Sequence, residues 1–141
     1  MKQHLTAVTV ALAMFASSAS AFDPAYLQRL KDTNECAYCE LSSADLARAN
    51  LTGANLEGAS LTGADLKGAN LEKAVLARAV LARADLTGAD LEGANLEGAF
   101  LAGANLEGAN LTGANLKGAN LSWANLKGAN LSWAKMRGVI L

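Results

Sequence analysis

The sequence predicts an all-β fold, a solenoid of short extended segments joined by corners, and three features of one repeat predict it. From position 41 to position 141 a large apolar residue recurs every five residues without insertion or deletion, and it is Leu throughout except for Met136. The position two before it is Ala from Ala44 to Ala134, with Cys39 and Val139 in that place at the two ends. All 13 glycines of the chain fall two after a central residue. A repeat this strict decides the architecture before any other feature does.

A period of five does not suit a helix. At 100° per residue, successive central residues would sit about 140° apart and wander around the axis, so no apolar face would form. Regularly spaced Gly and Asn also oppose helix. Ala-Asx-Leu is instead an in-out-in alternation, as an extended segment requires; the middle residue is usually Asn or Asp, as at Asp45, Asn50, Asn55 and Asp65. Gly then permits the positive φ of a tight corner. Each pentad reads as one short side plus one corner. Stacked coils pair their backbone groups and set equivalent residues about 4.8 Å apart, with Leu on Leu inside and Ala filling the remaining space.

The repeat resembles that of the pentapeptide-repeat family, whose motif is A(D/N)LxG, and the match runs from Cys39 to Leu141. The resemblance implies a right-handed quadrilateral β-helix with four pentads to a coil and about five coils. Three regions are expected: a signal peptide over 1–21, an N-terminal cap over 22–38, and the β-helix over 39–141.

Composition agrees with a narrow, repetitive core. Hydrophobic residues make up 52% of the chain but aromatics only 5%, too few to fill a broad irregular interior. With 12 basic and 13 acidic residues the net charge is −1, which gives no bulk attraction to nucleic acid or to an anionic membrane.

The chain opens MKQHLTAVTVALAMFASSASA. Lys2 supplies a positive start, Leu5 to Phe15 is mostly apolar, and Ala19-Ser20-Ala21 is a small-x-small cleavage site. The apolar run is short for a membrane span. Export is therefore expected, to the periplasm or to the thylakoid lumen of a cyanobacterium, with the mature chain starting at Phe22 and holding no membrane segment. His4, the one His, leaves with the signal.

Asp23-Pro24 opens a short helix with Pro at its first position. Tyr26, Leu27 and Leu30 are placed to lay an apolar side on the first coil, since an open solenoid end needs a cover. Cys36 and Cys39 follow, and family members carry a similar Cys-x-x-Cys segment before their repeats. In an exported chain the pair is a disulfide candidate, although so small a loop removes little chain entropy. Haem attachment needs a His after the second Cys, where Glu40 stands. A zinc site needs four ligands, and the mature chain has two Cys and no His. A thiol-disulfide redox role remains as the alternative, weakened by the inward pentad position of Cys39.

With the family's twenty-residue coil, the column of outward residues before the central positions reads Glu40, Ser60, Val80, Phe100, Asn120, Ile140. Val75 interrupts the Asx pattern on a neighbouring face. Val80, Phe100, Trp123, Trp133 and Ile140 are the candidate interaction residues, since apolar side chains that break a polar pattern mark contact surfaces; Val80 and Phe100 also suit a small patch of mutual support. Asp45, Asp65 and Asp85 share another column, which suits either a cation or plain solvated carboxylates. Charge is banded along the axis: 84–110 holds acids and no Lys or Arg, and 111–141 holds Lys117, Lys127, Lys135 and Arg137 and no acid. Val139-Ile140-Leu141 carries no polar cap, so a homodimer through the C-terminal coil is expected.

No catalytic residues, cofactor or metal are expected. Without a mature His there is no Ser-His or Cys-His pair, and the glycines obey the five-residue period rather than a phosphate-loop spacing. The expected function is a non-catalytic interaction or scaffold module with a protein partner. Topoisomerase protection by DNA mimicry, which some family members perform, ranks below the redox alternative, because such members are long, acidic and cytoplasmic.

Overall fold

The computed structural model describes residues 22–141, so the predicted signal peptide lies outside the described residues. One helix, α1 (Pro24–Thr33), precedes a continuous β-solenoid. Helix α1 starts where Asp23, in extended conformation, accepts the Ala25 N–H on its carboxylate at 2.8 Å. It stops at Asn34, whose φ of 62° is left-handed and whose N–H returns to the Leu30 carbonyl. The Asn34 side chain then donates to the Thr52 carbonyl at 2.8 Å, tying the cap to the first coil. Leu30 is fully buried, and Phe22 and Leu27 pack beside it. Tyr26 differs from the expectation: it stays 38% exposed, because Phe22 and Leu27 already cover that end of the core and α1 turns Tyr26 toward solvent.

Short parallel β-contacts join residues twenty apart, from Glu35 with Asn55 to Asn120 with Ile140. Each coil is therefore four pentads long, and every outward Asx position stacks in one of four columns. The pentad satisfies its backbone completely, as 94–98 illustrates. Leu96 N–H donates to the Asn115 carbonyl at 2.7 Å and Gly98 N–H to the Lys117 carbonyl at 2.8 Å, both in the following coil. Asn95 N–H reaches back to the Ala74 carbonyl at 2.9 Å, and Ala94 N–H closes the preceding turn on Leu91. The fifth donor, Glu97 N–H, goes to Asn95 Oδ1 at 3.1 Å. That last bond explains the Asx preference: the donor after each Leu has no ladder partner, and a short side-chain oxygen two residues back supplies one.

The interior is two kinds of stack, Leu and Ala. Nearly every Leu and Ala of the motif from Leu41 to Leu121 is buried, and no polar or charged side chain among the described residues is buried with them. Ala49 is the partly buried member within that span. Full burial of a Leu contributes about 1.5–3 kcal/mol.

The corners obey a rule that the repeat alone does not reveal. Eight corners carry a non-glycine residue at positive φ, Tyr38 to Arg83 and then Trp123 and Trp133. Each of the six before Trp123 has a glycine twenty residues on. Arg48 Cγ lies 3.6 Å from where a Cβ on Gly68 would stand, Arg78 Cγ 3.5 Å from that on Gly98, and Arg83 Cγ 3.4 Å from that on Gly103. Corner side chains thus lean over the following coil and rest on its glycine. Tyr38 leans hardest: a Cβ on Gly58 would fall 2.3 Å from its ring. Gly88 has nothing within that reach, so Gly88→Ala is expected to cost only the left-handed backbone term of about 1–2 kcal/mol. Gly58→Ala should cost measurably more and recover when combined with Tyr38→Ala, a coupling that thermal unfolding of the three variants would measure.

Candidate interaction faces

The column Glu40, Ser60, Val80, Phe100, Asn120, Ile140 is continuous in the structure. Val80 and Phe100 are neighbours in it, 37% and 43% exposed, and Ile140 follows beyond Asn120 at 54%. Trp123 stands at the corner of the same face. Trp133 does not join them: half a coil separates it from Trp123, so it occupies the diagonally opposite corner.

Replacing Asx by Val and Phe has a consequence beyond hydrophobicity. Neither side chain can accept the N–H two residues on, and the N–H groups of Ala82 and Ala102 have no protein acceptor. In the next column position, Asn120 Oδ1 accepts the Ser122 N–H at 2.9 Å as usual. Two unpaired donors therefore border the Val80–Phe100 patch. This face is also nearly uncharged. Among the outward residues flanking Leu61, Leu81, Leu101 and Leu121, Arg83 is the sole ionised one. Each of the other three faces mixes acids and bases, as Lys67 with Asp85, Glu72 with Lys73, and Glu57 with Arg78 illustrate.

Asp45, Asp65 and Asp85 stack as neighbours, and Lys67 enters their column, 4.0 Å from Asp65 and 3.9 Å from Asp85. Burial pulls the Asp85 carboxyl up, but the Thr87 hydroxyl and N–H and the nearby Lys67 outweigh it, leaving its pKa below the ordinary value. The Thr87 hydroxyl and Lys67 thus answer the like-charge repulsion of the column. Among the described residues no three His, Cys, Asp or Glu converge where they could hold a metal ion.

Cys36 and Cys39 are joined in a disulfide, with both residues 2% exposed or less. They lie under α1, with the Tyr26 carbonyl 3.4 Å from Cys36 Sγ. Neither sulfur is open to an attacking thiol.

The family model of pentapeptide repeats matches residues 39–76, 64–103, 74–113 and 104–141, with eight copies, and the chain belongs to that family. Its fold is the family's right-handed β-helix. Solved structures similar to it include two pentapeptide-repeat proteins and a resistance protein. Rfr23 from the cyanobacterium Cyanothece 51142 is 32% identical over 83% of this chain and 97% of its own, with a TM-score of 0.45. A protein of the Arabidopsis thaliana thylakoid lumen is 32% identical over 53% of this chain and 56% of its own, with a TM-score of 0.44. A trypsin-treated form of QnrB1, a plasmid-mediated fluoroquinolone resistance protein, is 23% identical over 72% of this chain and 59% of its own, with a TM-score of 0.60, a likeness of fold. No curated protein matches the sequence. No helix among the described residues is long and apolar enough to cross a membrane.

Proposed function

We propose that this chain is an exported, non-catalytic interaction module that holds a protein partner against the face of Val80 and Phe100. One observation carries the reading: Val80 and Phe100, which abandon Asx as Val75 does on a neighbouring face, are stacked on each other, and both leave a backbone donor unpaired on the face with the fewest charges. The patch therefore offers apolar surface and directional donors together, with Arg83 beside them. Interface centres combine depleted charge, aromatic residues and Arg in this way. A partner segment with apolar side chains and carbonyl or carboxylate acceptors fits it. Export is supported by the opening 21 residues and by an oxidised, buried Cys36–Cys39 pair, which suits an oxidising compartment.

Phe100→Asn tests the reading without damaging the repeat, because Asn restores the motif and gives the Ala102 N–H an acceptor. Chemical cross-linking in the exported compartment should capture a protein with wild type and lose it with this folded variant. Equal capture by both would sink the proposed face.

A further inference from the structure

The face of Val80 and Phe100 carries a third unpaired donor. Ser60 precedes Val80 in the column, and its hydroxyl meets that of Ser42 at 2.9 Å rather than the Thr62 N–H, which has no acceptor either. The N–H groups of Thr62, Ala82 and Ala102 thus stand free on three successive coils, about 4.8 Å apart. On the coils to either side, the equivalent N–H groups of Ser42 and Ser122 donate to Glu40 and Asn120 side-chain oxygens at 3.0 and 2.9 Å. Each free donor lies one residue before a corner, and those corners read Gly63, Arg83, Gly103. Arg83 is exposed and forms no ion pair among the described residues. Its Cγ leans over Gly103, the residue after Ala102, so its stem runs up the corner beside the N–H groups of Ala82 and Ala102. Arg78, at the other edge of this face, is already held by Glu57.

We infer that this ladder of donors is a carboxylate subsite, and that the partner presents to it the side chain of an aspartate or glutamate set between apolar residues. The inference rests on the reading of this face as a protein contact and states what the partner must carry. The molecule itself displays the fit. In the regular pentad the same N–H takes a side-chain oxygen, as Glu92 N–H takes Asp90 Oδ1 at 3.1 Å. Where Val80 and Phe100 replace Asx, that place is left for an oxygen from outside.

Rungs about 4.8 Å apart let the two oxygens of one carboxylate accept from Ala82 and Ala102 together, whereas a carboxamide offers a single oxygen. Arg83 supplies the matching charge, and a charge-assisted hydrogen bond is stronger than a neutral one. One free cation answers one carboxylate. A phosphate polymer carries charge at every unit and finds no row of cations here. Val80 and Phe100 lie beside the donors, both partly exposed, and take the apolar neighbours in the segment.

Nuclear magnetic resonance titration tests the subsite, with two capped tripeptides as probes: leucine-aspartate-leucine and leucine-asparagine-leucine. The aspartate peptide is expected to move the Ala82 and Ala102 N–H resonances downfield and the Phe100 ring signals with them. The asparagine peptide should bind about tenfold more weakly. Arg83→Gln should weaken the aspartate peptide by a similar factor and erase its advantage. Phe100→Leu keeps an apolar side chain and the free donor, so it should still bind. Phe100→Asn gives the Ala102 N–H an internal oxygen and should lose the peptide, and thermal unfolding checks that each variant is folded. Equal binding of the two peptides overturns the subsite, as does the absence of any shift at Ala82 and Ala102. So does an Arg83→Gln protein that binds the aspartate peptide as well as wild type, or inorganic polyphosphate that binds through Arg83 more tightly than the peptide. The face is decided separately by cross-linking: capture lost in Phe100→Asn with no peptide preference leaves the face and removes the subsite, whereas equal capture removes both.

Discussion

Leu96→Asp abolishes the cooperative unfolding transition of this protein. Leu96 is 1% exposed and stacks midway along its column, between Leu76 below and Leu116 above. Removing the leucine forfeits about 2–5 kcal/mol of packing. The carboxylate adds several kcal/mol more, because the interior holds no polar side chain to receive it. Against a typical total stability of about 5–15 kcal/mol, that loss leaves little. Each solenoid coil also leans only on its neighbours, so a defect in one central coil disturbs the interfaces on both sides of it. Asn95→Asp is the companion measurement. Residue 95 points outward, and Asp retains the oxygen that accepts from Glu97 N–H and from Asn115 Nδ2. Its effect should stay within about 0.5 kcal/mol. Thermal unfolding followed by circular dichroism separates the two, and a Leu96→Asp protein that melts like wild type would refute the inward assignment.

Leu96 could be assigned inward because a side chain's direction is fixed by its place in the pentad. The same holds for the Ala stack and the Gly corners: each depends only on residues within five of one another. The start of α1 was also legible, since Asp23-Pro24 carries both the cap and the first-turn proline in adjacent positions. Features that depend on the circumference of the coil were not legible from spacing. Nothing in a five-residue period makes Val80 the neighbour of Phe100; that needs four pentads to a coil, which the family resemblance supplied and the contacts twenty residues apart display. The support of Tyr38 by Gly58 escaped for the same reason. The Asx residues were legible as outward, but not as acceptors, because which N–H the ladder leaves unpaired is a property of the stacked backbone. Tyr26 was misplaced because a short helix has little periodicity from which to read its facing, and Phe22, outside the helix, took part of the cover.

The dependence on circumference gives a second large effect, with opposite outcomes for two insertions at one site. One Ala inserted between Gly93 and Ala94 shifts every later residue by one place in the pentad. The Leu stack beyond it then moves to a corner-ward position and the residues before each Leu, mostly Asn, take the leucine sites, so the coils after the insertion cannot bury a common core. That protein should lose the cooperative transition, as Leu96→Asp does. Five residues inserted at the same place, repeating Ala94 to Gly98, keep Leu and Ala inside and Gly at the corners. The solenoid should fold with stability close to wild type, lengthened by one side of a coil. But Phe100 then stacks above Asp85 rather than Val80, and the patch is split between two faces. If that patch is the contact surface, the five-residue insertion yields a well-folded protein that captures no partner. Thermal unfolding and cross-linked capture on the two insertions read the core and the surface separately. A folded single-residue insertion would contradict the core register, and undiminished capture by the five-residue insertion would contradict the Val80–Phe100 face.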